Sequence, residues 1–180
     1  EDFVYRIAMG ELPFITSIFP LGGRAGTKVE VELMGWNLPV NRVPIDATYD
    51  RKRPIRSFTV RSGDLVSNRI NVPIDMITEM MEKEPNDTPE KAEDVPSMPI
   101  IINGRIDRRD DIDTFRIEGH ASEHIIAEVF ARRLGSPLDS LVRLLDSEGK
   151  EVAVSDDYED KGTPLLTHHA DSRLSASLPA

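Results

Sequence analysis

Proline and glycine cut this chain so often that only short elements fit between them. Thirteen prolines and eleven glycines are spread over 180 residues, and the longest run free of both is 120–134. Proline lacks a backbone donor and fixes φ, so it ends helices and is kept out of central strands. Between the breaks, apolar residues alternate. Val29, Val31 and Leu33 share one face of residues 28–33, the period of a half-buried strand. Residues 56–60, 114–117, 125–130, 141–145, 151–154 and 173–178 are further strand candidates, with a hairpin turn at 147–150. Many short strands between turn residues predict an all-β chain of small antiparallel β-sandwiches. One segment departs from this pattern. Residues 75–82, with Met76, Met80 and Met81, predict one or two helical turns acting as an interdomain hinge. Another single turn is expected at 89–93.

That hinge divides the chain. The expected order is an end strand or linker at 1–10, a first domain at 11–75, an acidic linker at 76–88 and a second domain at 89–180. Domains this small have marginal cores, which a bound ion helps. Cysteine is absent, so neither disulfides nor thiol chemistry are available. A formal net charge of −10 opposes nucleic-acid binding, whose surfaces are basic, and opposes anionic membranes. No apolar run approaches the roughly 20 residues of a membrane span, so no membrane insertion is expected.

The densest chemistry lies in Glu82-Lys83-Glu84-Pro85-Asn86-Asp87-Thr88. Proline keeps the preceding residue extended, and alternate side chains of an extended chain share a face. Glu82, Glu84 and Asn86 can therefore point the same way. Crowded hard oxygens suit Ca²⁺, which takes six to eight oxygen ligands in flexible geometry. Two more acidic clusters follow, Asp110-Asp111-Ile112-Asp113 and Asp156-Asp157-Tyr158-Glu159-Asp160. Brought together, these clusters would repel unless a cation sat between them. The competing reading is solvated turn chemistry, and no EF-hand loop pattern is present.

Residues 84–157 carry a recognisable series. It runs E-P-N-D-T-x-x-x-A from Glu84, then Ile102-Asn103-Gly104-Arg105-Ile106, then Asp111-Ile112-Asp113-Thr114-Phe115. Leu134 to Asp139, Leu144 to Gly149 and Ser155 to Asp157 continue it. In order and spacing these segments resemble the bacterial pre-peptidase C-terminal (PPC) domain, a jelly-roll-like antiparallel β-sandwich appended to secreted peptidases and other exported proteins. The family is similar to the collagen-binding domains of clostridial collagenases. The resemblance implies a calcium site formed by an E-x-E-x-N-D linker and a D-x-D loop. The implied ligands are Glu82, Glu84, Asn86 and Asp87 with Asp110, Asp111 and Asp113; the choice between Asp110 and Asp111 stays open. Collagen binding does not carry over, because no matching aromatic surface motif is present. The resemblance also implies a further strand beyond residue 180.

The first half resembles a second family. Pro13 to Pro20 follows P-x-I-x-x-I-x-P, and Gly22 to Thr27, Val29 to Leu33 and Gly35-Trp36-Asn37-Leu38 complete the pattern of an IPT/TIG-type immunoglobulin-like domain. Residues 67–74 could supply its closing strand. Such domains are spacers and interaction modules without catalytic residues. Together the two resemblances imply a non-catalytic, calcium-stabilised, secreted, periplasmic or cell-surface bacterial module. Its partners would be neighbouring domains of the same protein and an extracellular protein or polysaccharide. The rivals are an accessory region of a secreted peptidase or other hydrolase, and a carbohydrate-binding β-sandwich. The chain reads as a piece of a longer protein. Residues 2–8 alternate like a lone strand and faintly echo Asp113 to Ile117, so they could be donated to another copy in a strand-exchange dimer.

Other groups carry chemical letters without a frame. His168, His169, Asp171 and Ser172 contain the members of a triad, which is recognised by geometry and not by letters. His120 and His124 have the helical spacing of zinc ligands, but Gly119 and the β-pattern favour a turn. Arg132-Arg133 and Arg51-Lys52-Arg53 read as solvated basic faces. Trp36 is expected in a core or a domain interface rather than as a ligand platform.

Overall fold

A computed structural model describes residues 3–158 and 170–179. The chain is all-β, with 39% of the described residues in strands and 4% helical. Among the described residues the helical content is two 3₁₀ turns, Pro89–Lys91 and Arg132–Leu134. No helix among the described residues is long and apolar enough to cross a membrane. The fold separates into two compact units, Glu1–Met76 and Ile77–Ala180.

The first unit contains β1 (Phe14–Phe19), β2 (Gly23–Arg24), β3 (Val29–Trp36), β4 (Arg42–Ile45), β5 (Ile55–Phe58), β6 (Arg61–Ser62), β7 (Leu65–Val66) and β8 (Ile70–Asp75). One sheet has the order β1-β3-β4 and is antiparallel. The other has the order β2-β8-β5, with β2 parallel and β5 antiparallel to β8. β6 and β7 form a small hairpin. Alternation, broken in β1 by a register shift between Ile15 and Ser17 that keeps both Ile15 and Ile18 inward, sends these two with Val29, Val31 and Leu33 of β3, Ile45 of β4, and Val72 and Ile74 of β8 into a single buried cluster. The outer edge of β1 is capped locally by Asn68. Its side chain accepts from the Ile15 N–H at 2.7 Å and donates to the Ile15 carbonyl at 2.9 Å, as a neighbouring strand would.

The second unit contains β9 (Thr78–Met81), β10 (Glu93–Asp94), β11 (Ile100–Asn103), β12 (Phe115–Arg116), β13 (His124–Glu128), β14 (Val142–Leu145), β15 (Glu151–Ser155) and β16 (Arg173–Ser177). They pair two by two. β9–β11 and β10–β12 are parallel, while β13–β16 and β14–β15 are antiparallel. The β14–β15 turn forms as the sequence predicts, with Gly149 at φ 81 donating to Asp146 O at 3.0 Å.

Four expectations are corrected. Residues 75–82 hold no helix: β8 runs to Asp75 and β9 begins at Thr78. Pairing with Ile100–Asn103 supplies the backbone of β9 with partners, and such tertiary pairing overrides a weak helical propensity. Residues 3–8 belong to no strand, and Phe3, Val4 and Tyr5 are almost wholly exposed. Trp36 is 70% exposed, opposite the half-exposed Phe14 in the β1–β3 register, which overturns the core half of its expectation. Arg133 is no solvated basic residue, since only 8% of its side chain is exposed.

Candidate metal centre

The strand β9 sets the site. Its last backbone bond runs from Glu82 N–H to Asn103 O at 3.0 Å, which fixes Glu82 beside the end of β11. Arg105 N–H then donates to Glu82 Oε1. Two residues on, Asn86 N–H donates to Glu84 Oε2 at 3.0 Å, folding that side chain back over its own backbone. Thr114 N–H donates to Asn86 O at 3.1 Å. That bond ties the acidic segment to the D-x-D loop and delivers Asp113.

Glu82, Glu84 and Asp113 therefore converge, each with a carboxylate oxygen within 4.8 Å of the others. Oxygens bound to one Ca²⁺ at 2.3–2.6 Å are separated by at most about twice that radius, so the spacing fits one such ion. Several polar atoms here are buried without a hydrogen-bond partner: Glu82 Oε2, Asp113 Oδ1 and both amide atoms of Asn86, whose residue is fully buried. Buried polar atoms are normally satisfied; the oxygens among these can accept a further partner, whereas Asn86 Nδ2 can only donate. Gly104 provides the space. A Cβ there would collide with Glu82 Oε2 and stand 3.2 Å from Asp113 Oδ2.

Electrostatics agrees with crowding. Burial raises the Glu82 pKa to about 7, and the neighbouring Asp113 and Glu84 carboxylates add to the rise against the opposing Arg105 N–H bond. Burial likewise raises Asp113 against an opposing side-chain hydrogen bond with Glu82, and the Asp111, Glu84 and Asp107 carboxylates add to the rise. Like charges in a partly desolvated site favour the protonated form.

The remaining sequence candidates are distributed around this trio. Asp111 has a buried side chain and Asp110 a 90% exposed one, with Asp110 at φ 62. Asp111 Oδ2 accepts from Asp107 N–H at 2.7 Å, and Oδ1 lies 3.5 Å from Arg108. Arg108 also binds Asp87, so Asp87 and Asp111 share a cation at the rim. Asp110 faces solvent beside Arg109. Sequence reasoning did not single out Arg108, Asp107 or the clearance at Gly104. Only Asn103-Gly104, a turn-forming dipeptide, hinted at the last.

Elsewhere the chemical letters serve structure. Asp171 is fully buried and accepts from the N–H groups of Ala131, Arg132 and Arg133 and from Arg133 Nε at 2.7 Å. Arg133 also binds Glu128 at 2.8 Å and lies 4.4 Å from the Phe130 ring centroid. Ser172 is fully buried, with its Oγ 2.8 Å from Ser140 Oγ. His168, His169, Glu159 and Asp160 lie outside the described residues. His120 precedes a turn and His124 opens β13, so their spacing is not helical. Asp156 and Asp157 are not part of the trio.

Comparison with known proteins adds no assignment: no protein-family profile, no curated protein and no solved structure matches this chain.

Proposed function

We propose that this chain is a non-catalytic module of an exported bacterial protein whose second unit is stabilised by a structural Ca²⁺. The observation carrying this reading is the convergence of Glu82, Glu84 and Asp113 around buried oxygens that lack partners. Asn86 and Asp111 stand at its margin. Bound there, the ion would offset the mutual repulsion of the carboxylates and tie the segment after β9 to the loop before β12. The PPC-like and IPT/TIG-like sequence patterns supply the exported context. In it the module holds neighbouring domains in place or attaches them to an extracellular protein or polysaccharide.

Calorimetry of the chain in EDTA, Mg²⁺ and Ca²⁺ tests the metal. An ion bound only by the native state adds about 2.7 kcal/mol at a hundredfold excess over Kd. One melting transition should therefore rise with Ca²⁺ and far less with Mg²⁺, which demands shorter octahedral bonds. Glu84→Gln and Asp113→Asn should each remove the response. A melting profile indifferent to EDTA and millimolar Ca²⁺ would sink the proposal.

A further inference from the structure

The segment before β1 is unusual for a surface. Phe3, Val4, Tyr5, Ile7 and Met9 are between 65% and 92% exposed, and residues 3–9 belong to no strand. Single exposed apolar side chains are ordinary; five within seven residues mark an interaction surface. The spacing carries more information. In a strand, Phe3, Tyr5, Ile7 and Met9 would share one face, with Arg6 on the other.

The second unit holds an edge suited to such a strand. Among the described residues, β12 pairs with β10 alone, over two residues. The carbonyls of Thr114 and Arg116 accept from Glu93 and Val95 N–H, so they face β10. Backbone groups alternate in direction along a strand. Phe115 and Ile117 therefore present theirs to the opposite side, which no other strand of the described residues covers. Ile112, on the segment entering β12, is 60% exposed, and Ile106 is 46% exposed. An edge with unpaired backbone groups beside exposed apolar residues is a template for an added strand.

Charge indicates which parts meet. Residues 1–76 carry ten basic and nine acidic side chains, whereas residues 77–180 carry twelve and twenty-three. Two second units repel each other, while the near-neutral first unit, with Arg6 in its arm, is acceptable to the acidic one.

We infer that residues 3–9 of one copy add as a strand to the open edge of β12 in a second copy. This inference does not depend on the metal. Reciprocal exchange would close a two-fold dimer, and one-way exchange would make open chains.

Sedimentation velocity of the full chain across a concentration series is the first measurement. Reversible self-association is expected, and Tyr5→Asp combined with Ile7→Asp should return the chain to a monomer without lowering its melting temperature. Because the chain has no cysteine, cross-linking can locate the contact. A chain with Ala8→Cys mixed with a chain carrying Glu118→Cys should form a disulfide heterodimer under mild oxidation, and Ile7→Asp in the first chain should abolish it. A strict monomer at every concentration overturns the inference, as does cross-linking insensitive to Ile7→Asp. A monomer with hydrogen-exchange protection of residues 3–9 overturns it too, because the arm would then fold within its own chain.

Discussion

The first unit buries ten apolar side chains in a single cluster, whereas the second buries only Val95, Ala131, Ala170 and Leu174 among its described residues. Its buried residues also include the polar Asn86, Asn103, Ser140, Asp171 and Ser172, while apolar strand residues such as Ile101, Phe115 and Leu144 are only half-buried. The two therefore rest on different physics. Apolar burial is non-directional and scales with area. Polar interiors depend on every partner being present and on every charge staying in its native state. Two units of similar strand content should thus respond oppositely to solvent: the first indifferent to pH and ions, the second governed by both.

The sharpest way to break this contrast is Asp171→Ala. The substitution leaves three backbone N–H groups and the Arg133 guanidinium without their shared acceptor. Removing one member of a buried ion pair costs about 3–5 kcal/mol. Calorimetry should show one transition lowered steeply or lost and the other unmoved. A uniform shift of both, or a cost below the kcal/mol scale, would mean that the network does not hold the second unit together.

The complementary change is Ile15→Ala, deep in the first unit at 2% exposure. Truncating a buried Ile to Ala costs about 2–5 kcal/mol through lost transfer energy and the cavity left behind. Here the transition untouched by Asp171→Ala should fall, by the same amount at pH 5 and pH 8. A pH-dependent penalty would show that the first unit also relies on titrating groups.

The strands were legible because period-two alternation and turn residues are local signals. β3, β14 and β15 appear close to where Val29-Val31-Leu33 and the hairpin at 147–150 put them. What the sequence hid is non-local. Met76, Met80 and Met81 favour helix weakly, and only pairing with β11 makes a strand of residues 78–81. Arg133 resembled a surface cation because its partner Asp171 lies 38 residues away. Within the candidate site, spacing could group Glu82 with Glu84, but the letters D-D-I-D do not tell Asp110 from Asp111. The backbone decides that pair, turning Asp110 at positive φ into solvent and Asp111 inward.

The smallest effect expected is also the most diagnostic, because its sign separates the units. Glu82 has an ordinary pKa of 4.5, raised in the fold to about 7, and Asp113 is raised as well. A carboxyl that holds its proton more tightly when folded stabilises the fold at low pH, and that contribution fades as pH climbs from 4.5 to 7. Asp171 runs the other way. Burial opposes its charge, but Arg133 and the three N–H groups prevail and lower its pKa, so its contribution is lost only as pH falls through the acid range. Without metal, the second unit should therefore melt highest near pH 5 and progressively lower toward pH 7.5. Ca²⁺ requires the ionised carboxylates, so adding it should reverse that slope. Glu82→Gln sharpens the test. In EDTA it should flatten the decline above pH 5 and raise the melting temperature at pH 7.5, while weakening the response to Ca²⁺. A second-unit transition that is flat or rising from pH 5 to 7.5 in EDTA would show that the Glu82 and Asp113 carboxylates are not crowded in solution. The electrostatic half of the comparison would then rest on Asp171 alone.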